Sequence, residues 1–148
     1  MAENTYKPFK TFDELMQVHP ELFPEGFYFQ CGEGWFPLIA TLVHQIENIQ
    51  FNRNWKGKPQ VQYKFGQVKE KFGTLRIYSH VGVTDNDDGV LEQIYGAERF
   101  AEHYSAYVCE ECGNMGRSRR GGWIRTLCDK HSAMAGYPEE STSSLASS

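Results

Sequence analysis

The chain has 148 residues, 40% of them apolar and 14% aromatic, and a formal net charge of -4. That composition supports a real core and excludes wholesale disorder, while the size allows one domain or a small domain with an appendage. The acidic balance excludes a surface that is basic throughout, and no run approaches the ~20 apolar residues a membrane-spanning helix requires.

Residues 1–10 read as a flexible arm without the basic-then-apolar run of a secretory signal, so the expected compartment is the cytoplasm, with no membrane partner. Thr11-Phe12-Asp13-Glu14 has the form of a capping box and predicts a short helix that ends before Pro20, with Phe12, Leu15 and Met16 as its apolar stripe and Val18 as an extension. Phe27-Tyr28-Phe29 is a brief strand or an aromatic plug. In Cys31-Gly32-Glu33-Gly34-Trp35-Phe36-Pro37, glycines flank Glu33 and permit a tight turn or a close backbone approach. Trp35, Leu38, Ile39, Leu42, Val43, Ile46 and Ile49 then recur at helical spacing to about residue 50, and Pro37 fits its first turn. N–H groups at that helix start suit an anion, although Glu33 opposes one.

Residues 52–59 predict a polar loop. Val61, Tyr63 and Phe65 alternate as a half-buried strand, Gly66 shifts the phase by a bulge, residues 69–73 turn, and Leu75-Arg76-Ile77-Tyr78 return. Residues 82–89 form a solvated loop. A second helix is expected from Asp88 to about Tyr107, capped by Asp87 or Asp88, with Val90, Leu91, Ile94, Tyr95, Ala97, Ala101 and Tyr104 on its buried side. Residues 138–148 are small and polar and read as a disordered tail.

Cys109-Glu110-Glu111-Cys112 and Cys128-Asp129-Lys130-His131 give C-x2-C, an interval of 15 residues, and C-x2-H. Two such pairs supply three thiolates and an imidazole, the donor set of a closed tetrahedral zinc site. With all four of Cys109, Cys112, Cys128 and His131 committed, a Zn2+ ion there is structural and has no open position for catalysis. Cys31, the remaining cysteine, reads as a small buried hydrophobe. The fold class is therefore α+β: two main helices on an antiparallel β-hairpin over 11–107, and a knuckle of zinc-ribbon or treble-clef type over 108–137.

Charge is segregated along the chain. Residues 53–76 carry seven basic side chains against one acid, residues 114–131 carry five against one, and residues 85–111 carry eight acids against one arginine. The basic and acidic segments either pair with each other or leave an anion-binding face. Between the knuckle pairs, Arg117, Arg119, Arg120 and Arg125 offer planar recognition of phosphate, and Trp123 offers a stacking surface. Lys69, Lys71 and Arg76 on the hairpin extend the candidate surface. The competing possibility is a solvated basic loop with Trp123 buried beneath it. No nucleophile elbow, paired acidic motif or histidine-rich nuclease core is present, so no catalytic residues are assigned.

Three blocks carry a resemblance: Cys31–Phe36; Val68-Lys69-Glu70-Lys71-Phe72-Gly73-Thr74-Leu75-Arg76-Ile77-Tyr78; and Cys109-x2-Cys112-Gly113 with Gly121-Gly122-Trp123-Ile124-Arg125-Thr126-Leu127-Cys128-Asp129-x-His131. Together they are similar to a family of small bacteriophage and prophage accessory proteins with a C-terminal Cys3His knuckle. The resemblance implies a protein acting in a bacterial host's cytoplasm and transfers no catalytic residue. The function expected is non-enzymatic binding of a phosphate-bearing ligand, either nucleic acid or a signalling nucleotide, in host takeover or anti-defence. The alternatives are a protein-interaction module that inhibits or retargets a host enzyme, and a nucleotide-degrading enzyme.

Overall fold

A computed structural model describes residues 10–139 of the chain. The sequence-predicted tail over 138–148, from residue 140 onward, and the arm over 1–10, up to residue 9, lie outside the described residues.

Helix α1 spans Phe12–Val18. Thr11 Oγ1 accepts the Glu14 N–H at 3.0 Å, as the capping box requires, but the Glu14 carboxylate reaches one residue further back and accepts the Lys10 N–H. Leu15 is fully buried, whereas Val18 is 54% exposed and does not extend the stripe. Phe27 and Phe29 form a plug rather than a strand: Phe29 stacks on Phe12 at 4.1 Å and meets Phe23 and Phe27 edge-on, and Phe23 stacks on Phe65.

A single 3-10 turn, Glu33–Trp35, leads into α2, Phe36–Trp55. The helix runs five residues past the expected end because Arg53 gives its last turn a buried anchor. The Arg53 guanidinium donates to the carbonyls of Pro59 and Asp85 and to the Asp88 carboxylate. Gly57, at φ +71°, then takes the left-handed conformation that closes the helix.

Strands β1 (Gln62–Lys71) and β2 (Thr74–Gly82) form an antiparallel ladder with a register shift between Phe65 and Gln67, where Gly66 provides the bulge. The turn is shorter than the sequence suggests: pairing continues to Lys71↔Thr74, and Phe72 and Gly73 alone make the loop. Both have positive φ, +54° and +81°, the signature of a type I′ turn. For phenylalanine that conformation costs roughly 1–2 kcal/mol.

Helix α3 covers Val90–Tyr104 and a 3-10 turn completes it to Tyr107. Neither Asp87 nor Asp88 caps it. Gly89 occupies the cap position, Asn86 Oδ1 accepts the Leu91 N–H, and Asp88 is occupied with Arg53. Val90, Ile94, Glu98 and Ala101 form the buried stripe, while Tyr95 and Tyr104 are 38% and 43% exposed. Glu98 displaces the tyrosines because it has polar work inside: its Oε2 accepts the hydroxyls of Tyr63 at 2.8 Å and Ser79 at 2.6 Å. Glu102 and Ser105 accept the N–H groups of Ile77 and Leu75, so α3 seals the outer edge of β2. The other edge is covered by Gln30, which brackets Lys69 in a parallel bridge.

One apolar core joins α1, α2, α3 and the inner face of the hairpin, with Trp35, Ile39, Val43, Phe65, Val68, Leu75 and Ile94 at its centre. The C-terminal part follows as a knuckle, a short hairpin of β3 (Arg117–Arg119) and β4 (Arg125–Leu127), and helix α4, Asp129–Met134. Knuckle, hairpin and helix in that order make the treble-clef arrangement. Among the described residues, no helix is long and apolar enough to cross a membrane.

Candidate metal centre and the basic faces around it

The first ligand pair sits on a hairpin tip. Val108 bridges Met115, the Cys109 N–H donates to Asn114 O, and the Gly113 N–H donates to Cys109 O at 2.9 Å. Gly113 takes φ +82°, which reverses the chain directly after Cys112. The second pair opens a helix. Cys128 is the N-cap of α4, its sulfur accepting the His131 N–H, so Cys128 and His131 face the same way one turn apart.

These four side chains converge, with ligand atoms all within 4.8 Å of one another. His131 Nδ1 lies 3.2 Å from Cys128 Sγ and 3.8 Å from Cys109 Sγ, and Cys112 Sγ lies 3.8 Å from Cys128 Sγ. Thiolates bound at about 2.3 Å to one tetrahedral ion lie about 3.8 Å apart, so the donor set and its spacing fit a single metal ion. Burial works against a thiolate at Cys109, but backbone N–H groups of Cys128, Cys112 and Glu111 directed at the sulfur outweigh it. The Cys109 pKa is lowered as a result.

The glycine-flanked turn proves to be the seat of this knuckle. The Gly34 N–H donates to Glu110 O at 2.7 Å, the Gly32 N–H donates to Glu110 Oε2 at 2.8 Å, and Trp35 Nε1 donates to Val108 O at 2.8 Å. A Cβ on Gly32 or Gly34 would overlap the backbone of residues 109–110. The anion this helix start receives is thus the chain's own Glu110. Burial pushes the Glu110 carboxyl up, against the opposing pull of Gly32 N–H and Arg125. Cys31 beside it packs as a partly buried apolar residue, its thiol pushed up to about 12 by burial and then by Glu110.

The four arginines of the knuckle loop part company. Arg119 is 6% exposed, donating from Nε to Leu127 O and from its terminal nitrogen to Asp129 Oδ1 at 2.8 Å. Arg125 donates to Glu111 Oε1 at 2.6 Å, stands 3.7 Å from Glu110 Oε1, and lies over the Trp123 ring at 4.9 Å. Arg117 faces Asp129 at 3.7 Å, and Arg120 is exposed. Arg119 and Arg125 therefore hold the loop together rather than project from it. Trp123 is 60% exposed, not buried, and its Nε1 donates to Glu70 Oε1 while its carbonyl accepts the Tyr137 hydroxyl.

That Glu70 contact brings the two basic segments together. Thr126 Oγ1 donates to Gly73 O at 2.7 Å and Gly73 N–H donates to Glu70 Oε2, so the tip of the β1–β2 hairpin rests on the knuckle loop. On the hairpin's outer face the register pairs Lys64 with His80, Gln67 with Tyr78, Lys69 with Arg76 and Lys71 with Thr74. Strict alternation would put Lys64 and Lys69 on opposite faces; the Gly66 bulge puts them on one. Among the described residues, none of Lys64, Lys69, Lys71 and Arg76 makes an ion pair. Lys69 and Arg76 stand directly opposite, a like-charge pairing that disfavours the hairpin. Lys69 lies 5.6 Å over the half-exposed Tyr78 ring. His80 is the member of this face that charge counting did not single out, and the bulge is the signal that places Lys64 and His80 on it with Lys69 and Arg76.

A third surface is aromatic. Phe100, Tyr104 and Tyr107 are 71%, 43% and 58% exposed and follow one another at 6.0 and 6.2 Å along the end of α3. Compared with protein-family models, with curated proteins and with solved structures, the chain shows no significant match.

Proposed function

We propose that this protein is a non-enzymatic, zinc-stabilised nucleic-acid-binding protein whose phosphate-contacting surface is the outer face of the β1–β2 hairpin. The observation that carries the proposal is the row Lys64, Lys69, Lys71 and Arg76, without an internal carboxylate partner among the described residues. Holding like charges opposite each other is unfavourable in the free protein, and a phosphate backbone relieves it. Exposed Tyr78 on this face and Phe72 at its tip provide π-faces for bases. Arg117 and Arg120 lie on the knuckle loop, and Arg119 and Arg125 shape that loop, on which the hairpin tip rests. Zinc is the ion we assign to Cys109, Cys112, Cys128 and His131, because three thiolates and an imidazole in a closed tetrahedron suit it best. The resemblance to phage and prophage accessory proteins supplies the proposed setting, the cytoplasm of an infected or lysogenic bacterium.

Fluorescence anisotropy with labelled single-stranded and duplex oligonucleotides tests this across a salt series. Binding that weakens with a log–log slope of about -3, as expected for four phosphate contacts, is the predicted result. Lys69→Glu combined with Arg76→Glu should abolish it at moderate salt. Salt-independent binding, or binding unchanged in that double variant, would sink the proposal.

A second reading rests on the aromatic row Phe100–Tyr104–Tyr107, which suits docking to a host protein. Such a complex would survive high salt and would be lost on Phe100→Ser, while the hairpin double variant left it intact.

A further inference from the structure

The hairpin tip carries a residue that its backbone argues against. In a two-residue turn with positive φ at both positions, asparagine, aspartate or glycine fits first without strain. Here the first position is Phe72, at φ +54° and 68% exposed. Packing does not account for it: among the described residues Phe72 belongs to no ring pair and not to the core, and the Lys71 ammonium stands 5.7 Å from its ring. A strained backbone that displays a large apolar ring to water is the kind of feature that function retains.

The surroundings specify what the ring meets. Lys71 precedes it, Lys69 and Arg76 stand behind it on the ladder, and Trp123 is exposed on the loop against which the tip rests. The tip is held from both sides, by Thr126 on the Gly73 carbonyl and by Glu70 on the Gly73 N–H. A rigid, cation-flanked aromatic point is suited to stacking on an unpaired base while the lysines hold the adjoining phosphates.

We infer that Phe72 is a base-stacking residue and that the ligand class of this surface is single-stranded nucleic acid, or duplex opened at the point of contact. The inference rests on the nucleic-acid reading above and sharpens it to a strand state and a residue.

Its test compares wild type, Phe72→Asn and Phe72→Trp on an oligothymidylate and on a duplex of the same length. Asparagine suits the turn, so Phe72→Asn should fold at least as stably as wild type, which thermal melting checks. Its affinity for the oligothymidylate should fall roughly 5- to 150-fold, with an unchanged salt slope, because stacking is lost and the phosphate contacts are kept. Phe72→Trp should retain affinity, and the preference for the single strand should shrink only in the asparagine variant. If Phe72→Asn binds both ligands as wild type does, the stacking role is overturned while the basic-face reading stands. If wild type binds neither ligand at low salt, both fall together.

Discussion

The two parts of this molecule are held by different physics. From α1 to α3 the chain buries a continuous apolar core with interlocked phenylalanines. Among the described residues from Cys109 onward, only Cys109 and Leu127 are buried apolar residues, and order comes from the Cys109–Cys112–Cys128–His131 cluster, backbone hydrogen bonds and paired arginines. In the knuckle module the four candidate ligands form one central cluster. The hairpin tip rests on the loop between the two ligand pairs, so a metal ion bound there would fix the placement of the proposed surface.

The comparison breaks most visibly on removing the ion. Chelation should abolish hydrogen-exchange protection at the amides of Cys109, Gly113 and Gly116, while those of Lys69 and Arg76, paired in the hairpin ladder, keep theirs. Native mass spectrometry should show one zinc ion per chain beforehand. If the hairpin amides lost protection together with the knuckle, the two parts would be one cooperative unit and the distinction would fail.

Gly34→Ala addresses the joint instead. Its new methyl group would overlap the carbonyls of Cys109 and Glu110. Urea denaturation should register a loss of roughly 2–4 kcal/mol. The variant should still carry its metal, because none of the four ligands is touched. Loss of zinc at the same time would show that docking and metal binding are inseparable.

The smallest effect tests an acid that lines the core. Burial raises the Glu98 pKa despite the hydroxyls of Tyr63 and Ser79. The folded state therefore holds that proton more tightly than the unfolded chain does, and stability falls as pH rises from the ordinary carboxylate range, about 4, through the raised folded value. Glu98→Gln keeps an acceptor for both hydroxyls and removes the buried charge. Its melting temperature should exceed that of wild type above this window and converge with it below. Parallel melting curves across pH would show that Glu98 carries no such penalty.

Features set by neighbours in the chain were legible in the amino-acid sequence. Ligand spacing located the candidate metal centre because each pair lies within four residues, and the Val61–Phe65 alternation located the hairpin. What was not legible depends on partners distant in sequence. The Gly32–Gly34 turn has the signature of an anion site, and nothing near it shows that Glu110 fills it. Arg119 and Arg125 looked like ligand groups because three-residue strands are too short to display which side faces inward. The extent of α2 turned on Arg53 finding Asp85 and Asp88 across a loop. The Gly66 bulge was visible, but its effect on which cations share a face required the register.

The joint between the parts also sets an order of events as the chain is made. Gly32 and Trp35 wait for partners 78 and 73 residues downstream, at Glu110 and Val108. Helices α1 and α2 and the hairpin can collapse long before those partners leave the ribosome, since their apolar contacts are nearer in sequence. Until then the turn's N–H groups face water, and the hairpin tip lacks the loop it rests on. The segment from Cys109 onward therefore completes the surface as well as the fold, and a chain cut short before Cys128 would carry the basic strands with no fixed tip.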